Sequence, residues 1–117
     1  MKHAHDLDAL LLEVLAPFPA APPIRISWAP RAEMADGQHW AQWRKLSTTG
    51  HWIGIWDGLQ TAPRYVLLYL VRHEVLHVLL PPRRGCAHHK YFRIAERMTH
   101  SYLRATKWLD SHGTGNG

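Results

Sequence analysis

Cysteine is all but missing from this chain: Cys86 is the only one among 117 residues. A lone cysteine excludes an intrachain disulfide and a four-cysteine zinc ribbon, and it suits a reducing compartment, so a cytoplasmic protein is expected. Long apolar runs are missing too. No apolar span approaches about 18 residues, and Asp6, Asp8 and Glu13 interrupt the one near the N-terminus, so neither a membrane span nor a signal peptide is expected. Repeats and long linkers are absent, which points to one domain over residues 1–117 with 110–117 as a frayed tail. Acidic residues are the minority charge, 9 against 14 Lys and Arg, for a formal net charge of +5. That balance would favour anionic partners, but no Lys/Arg-rich block concentrates it, and a solvated basic surface also accounts for it.

Apolar residues make up 46% and charged residues 20% of the chain, a balance that buries a core rather than leaving the chain disordered. Leucines recur at helical spacing from Asp6 to Leu15, with Asp6 as a cap and "PFPAAPP" as a stop. "IRISW", Ile24 to Trp28, alternates as a strand does. "HWAQWRKL" (His39 to Leu46) and "HWIGIW" (His51 to Trp56) flank "STTG", a hairpin turn. From Pro63 a helix runs without a breaker to Leu80, and a last helix is expected from about His88 to about Asp110. The expected fold is α+β: an N-terminal helix, a small three-stranded, mostly antiparallel sheet, a long central helix and a C-terminal helix.

The central helix carries "RHEVLH". Positions i and i+4 stand one above the other on a helix, so His73 and His77 can both reach one tetrahedral ion about 2.0–2.1 Å away. Steps of about 100° per residue place them in one sector with Val66 and Leu70. Glu74 is rotated away from His73 and is free to act as a general base on water at the open side of the metal. A buried helix face seldom carries two histidines without polar partners or a metal, which favours a site over coincidence.

A catalytic zinc usually takes a third protein ligand and leaves one position for water. The metzincin continuation is excluded, because Leu80 and Arg83 stand where it needs glycine and histidine. Two candidates remain, His88 and Glu96, roughly 12 Å apart if they share one unbroken helix. His88 is favoured because it shares its face with Phe92, Ala95, Thr99 and Thr106, the face suited to packing on the central helix.

Taken together, "IRISW", "TTGHWIGIWDGL", the helix entering "HEVLH" and "HHKYFRIAERM" resemble the SprT-like zinc metallopeptidases and their minimal bacterial relatives over roughly Ile24 to Met98. The resemblance implies a zinc ion held by His73, His77 and His88, with Phe92 as the aromatic that follows the third ligand. It implies peptide-bond hydrolysis by zinc-activated water with Glu74 as general base, and an oxyanion donor among Tyr91, Tyr102 and His100 or an arginine. The alternative from another class is an inactive, zinc-stabilised binding module.

Five of the six tryptophans, Trp28, Trp40, Trp43, Trp52 and Trp56, fall in the strand region. Alternation puts Trp52, Gly54 and Trp56 on one face of the last strand and His51, Ile53 and Ile55 on the other. The plainer reading is a sheet core packed by helices; a sharper one makes that strand an edge along which a peptide or unfolded protein substrate pairs, at Ile53 to Trp56. Another has the tryptophans, with Arg44, Lys45 and Arg64, stack on single-stranded nucleic acid.

Overall fold

Asp6 accepts a hydrogen bond from the Ala9 amide and so caps α1, Leu7–Leu15, whose Leu7, Leu10, Leu11 and Val14 are buried. The computed structural model describes residues 5–33, 40–48, 50–99 and 101–112. Three strands follow: β1, Ile24–Ala29; β2, Ala41–Lys45; and β3, His51–Trp56. Pro63 then caps α2, Arg64–Leu79, and two shorter helices end the fold, α3 at Lys90–Arg97 and α4 at Tyr102–His112. Among the described residues the architecture is α+β, four α-helices on one small sheet. Among the described residues no helix is long and apolar enough to cross a membrane.

The sheet order is β1-β3-β2, which corrects two expectations. β2 and β3 form the antiparallel hairpin, with Trp43 opposite Ile53, but β1 joins β3 in parallel, with Ile24 opposite His51. The sheet is therefore mixed. β3 is its central strand rather than an edge, so the main chain of Ile53 to Trp56 is flanked on both sides and is closed to an incoming peptide. The outer side of β2 is an edge that remains.

Strand alternation sorts the two faces as expected. Ile53 and Ile55 are fully buried against the helices and join one core with Leu67, Val71 and Leu10. The opposite face carries Arg25 and Ser27, both exposed, and a half-buried Trp52 whose indole donates to the Ser27 hydroxyl at 2.9 Å. The Trp52 ring lies flat across Gly54, where an added Cβ would sit 2.3 Å from a ring carbon, so only glycine fits beneath it.

α2 runs through the middle, packing on α1, α3, α4, β2 and β3. Arg64 at its start pairs with Glu13 of α1. The single C-terminal helix expected from His88 is in fact two. α3 ends at Met98, and Ser101 takes a left-handed conformation with φ of 67°, which redirects the chain so that Ala105 and Leu109 of α4 pack into the core. α4 also extends through His112, past the expected start of the tail, and residues 113–117 lie outside the described residues.

Candidate metal centre

On α2, helical spacing stacks His73 over His77, with ring centroids 5.0 Å apart. The third imidazole comes from the loop before α3. There the chain turns tightly at Arg83-Arg84-Gly85-Cys86, where Arg83 and Cys86 exchange backbone hydrogen bonds of 3.0 and 2.9 Å. Both central residues have positive φ, 52° at Arg84 and 79° at Gly85, as two-residue hairpin turns require. The turn returns His88 to α2, where its ring lies 5.2 Å from that of His73 and 5.0 Å from that of His77. One ligand nitrogen from each of the three lies within 4.8 Å of the others, so His73, His77 and His88 could hold a metal ion together.

The closest approach is Nε2 of His77 to Nε2 of His88, 3.2 Å. Two nitrogens about 2.0–2.1 Å from a common tetrahedral ion stand about 3.3 Å apart, so the spacing fits shared coordination. Burial, then the neighbouring His73 and His88, pushes the His77 pKa down to about 4; burial and His73 also hold His88 below its ordinary value. Both rings are thus neutral at pH 7. Without an ion the two nitrogens can share a proton as a hydrogen bond, and the same spacing lets a cation take the place of that proton.

Each α2 histidine is oriented differently. Nδ1 of His73 donates to Oε2 of Glu96 at 2.6 Å, and the Tyr69 hydroxyl donates to the same oxygen at 2.8 Å. That bond leaves Nε2 of His73 as the nitrogen able to ligate. Burial opposes charge on His73, but the bond to Glu96 and the nearby Glu74 carboxylate outweigh it and raise its pKa. Burial likewise opposes charge on Glu96, yet the bonds from His73 and Tyr69 hold its pKa below the ordinary carboxylate value. Burial, then Glu96, pushes Tyr69 far up, so it stays a neutral donor. Nδ1 of His77, by contrast, is buried with no hydrogen-bond partner among the described residues. Its ring is held by stacking: Trp43 lies 5.9 Å away and within 9° of parallel, and Phe92 lies 4.6 Å away. Trp43 is itself fixed by donating its indole N–H to Nδ1 of His51 at 3.0 Å.

Glu74 is 6% exposed and, with His73, His77 and His88, lines an open cleft of about 440 Å3. Ala41 to Arg44 of β2 form the other wall, so this strand runs alongside the three imidazoles.

Comparison of the chain with protein families, curated proteins and solved structures found no match. The functional reading therefore rests on the geometry of this site.

Of the residues marked in the sequence, His73, Glu74, His77 and His88 come together, and Phe92 packs edge-on or tilted against all three imidazoles. Glu96 reaches the same place as the partner of His73 Nδ1, not as a rival to His88. Among the oxyanion candidates, Tyr91 is exposed under Arg83, Tyr102 packs on Tyr69, and His100 lies outside the described residues. Trp43 and Tyr69 were missed. Tyr69 stands four residues before His73, a spacing that could have revealed it. Trp43 could be placed only once the β2–β3 register was known.

Proposed function

We propose that the chain is a zinc-dependent metallopeptidase, in keeping with its resemblance to SprT-like zinc metallopeptidases. The observation that carries this reading is a three-imidazole cluster with a buried carboxylate, Glu74, next in sequence to one ligand and opening onto the same cleft. Three nitrogen ligands beside a water-accessible cleft are the donor set of a catalytic rather than a structural zinc, which would be closed by a fourth protein ligand. Bound there, Zn2+ supplies Lewis-acid polarisation of a carbonyl and brings the pKa of water toward neutrality.

The chain's own residues do the rest. The Glu74 carboxylate accepts a proton from the attacking water and returns it to the leaving amine nitrogen. Glu96 holds His73 in the tautomer that keeps Nε2 unprotonated, while Trp43 and Phe92 hold the His77 ring. An extended peptide is bound in the cleft beside the β2 wall, Ala41 to Arg44, in place of the β3 segment Ile53 to Trp56, which is closed on both sides.

The test is Glu74→Gln in the zinc-loaded protein. Cleavage of unfolded protein should fall by about 100- to 10,000-fold while zinc content and melting temperature stay near those of the unaltered chain. A zinc-loaded chain that cleaves no member of a broad panel of unfolded proteins would leave a metal-stabilised binding module instead.

A further inference from the structure

The cleft has a second, smaller compartment. On the far side of His73 and Glu74 lies a recess of about 170 Å3, bounded also by Trp40, Tyr69, Leu70 and Leu109. It shares Ala41, His73 and Glu74 with the larger compartment, so the two flank the same carboxylate. Helical spacing explains the arrangement. Leu70 and Tyr69 precede His73 by three and four residues and lie one turn along the same strip of α2. Leu109 reaches in from α4 because the break at Ser101 turns that helix back onto α2.

The walls are apolar and fixed in advance. The Trp40 carbonyl accepts from the Trp56 amide at 2.9 Å, its ring lies 5.8 Å from that of Trp56, and the Arg31 guanidinium sits 4.0 Å over Trp56. The Tyr69 hydroxyl is committed to Glu96, which leaves the ring as lining. Leu70 and Leu109 are buried core residues. Besides Tyr69, the titratable side chains on its lining are His73 and Glu74, which it shares with the larger compartment. A packing gap inside the core would not open onto the carboxylate assigned as general base; a substrate subsite would.

We infer that this recess is the specificity pocket and admits one apolar side chain, such as Leu, Met or Phe, from the substrate residue adjoining the scissile bond. The inference rests on the peptidase reading above. An apolar cavity of about 150 Å3 accommodates one benzene, so the recess matches a single branched or aromatic side chain. An acidic side chain would be stripped of water against Trp40, Leu70 and Leu109 and would face the Glu74 carboxylate. The larger compartment, with Gln42 and Arg44 on its wall, imposes no such restriction.

The experiment is cleavage-site profiling of a peptide library by the zinc-loaded full chain. Leu, Met or Phe should be enriched about 10-fold or more over Ala, Asp and Lys at one position next to the cut, the discrimination a few methylenes supply in a pocket. Cleavage with a flat profile there overturns the inference and leaves the peptidase reading intact. Leu109→Phe should narrow the recess and shift preference toward Ala, whereas Leu109→Met should keep the original profile. An unchanged profile in a folded Leu109→Phe variant also counts against the pocket. Labelled peptides titrated onto zinc-loaded Glu74→Gln, differing only in Leu or Asp at that position, read the same preference without turnover. Selective binding by a chain whose unaltered form cleaves nothing would sink the peptidase reading and keep the pocket; equal affinity for the two peptides would sink the pocket.

Discussion

Nine of the sixteen residues of α2 are buried, Glu74 and His77 among them, whereas between Pro81 and Arg97 only Phe92 is. Two of the three imidazoles thus stand on a helix fixed by the core, and the third stands on an exposed loop. The difference shows how a small chain can build a metal centre. The rigid helix sets the positions of His73, His77 and Glu74 before any ion arrives, and the ordering cost falls on the segment that brings His88. A bound ion would then stabilise the loop by tying it to α2.

Phe92 is the one apolar anchor of that segment and touches all three imidazoles, so its removal should break the contrast most sharply. Phe92→Ala is expected to cost about 3–5 kcal/mol of stability and to weaken metal binding, because nothing else buried holds α3 to α2. Chemical denaturation of the metal-free and metal-loaded protein measures both, and a loss below about 1 kcal/mol would show that the segment is held otherwise.

Glu96→Gln acts on the α2 side through the segment's own residue. The amide keeps the shape but loses the charge that orients His73, and zinc affinity should fall by about 10- to 100-fold in a competition titration. Stability of the metal-free chain should change far less. If affinity is unchanged, the bond between His73 Nδ1 and Glu96 does not prepare the ligand.

Acid should act on the same contrast. His77 has a folded pKa of about 4, and His88 and His51 are also depressed, so each contributes stability that is present above pH 6.5 and lost as pH falls toward its folded value. Depressed Glu96 has the same sign, with its loss confined to pH below the ordinary carboxylate value. His73, with its pKa raised, has the opposite sign: its contribution is present below pH 6.5 and lost as pH rises through its folded value. The large depression of His77 sets the net sign. The melting temperature of the metal-free protein should fall from pH 7 to pH 5, and a flat or rising profile would contradict the neutral state assigned to His77.

Much of this was legible because its signals are local. Asp6 and Pro63 mark helix starts, alternation in "HWIGIW" separates buried Ile53 and Ile55 from Trp52, and the spacing of His73 and His77 requires only a helix. What was hidden depends on contacts distant in sequence. Nothing in "IRISW" says that β1 would pair with β3 in parallel, which puts at the centre of the sheet the strand that the sharper reading made an edge. "RMTHSY" holds neither proline nor glycine, so the break at Ser101 answers to the packing of Ala105 and Leu109 rather than to a local breaker. The start of α3 at Lys90 removes the premise that His88 and Glu96 compete on one helix. His88 precedes α3, and Glu96, two turns into α3, meets His73 from its other nitrogen.

The smallest expected effect lies on the exposed side of the contrast, at His89. Its Nδ1 accepts from the Phe92 amide at 3.3 Å, capping α3, while its Nε2 donates to the Pro81 carbonyl at 3.2 Å and closes the loop that carries His88. The cap is long and only part-buried, so His89→Ala should cost about 1 kcal/mol or less. His89→Asp separates the two roles, since aspartate is a better cap but cannot donate to Pro81. If the cap alone matters, the aspartate variant regains the stability lost in the alanine variant and binds zinc as the unaltered chain does. If closure of the loop positions His88, both variants bind zinc more weakly by a similar factor even as the aspartate variant recovers stability. The second outcome is expected, because His88 adjoins His89 and has little buried surface of its own to hold it.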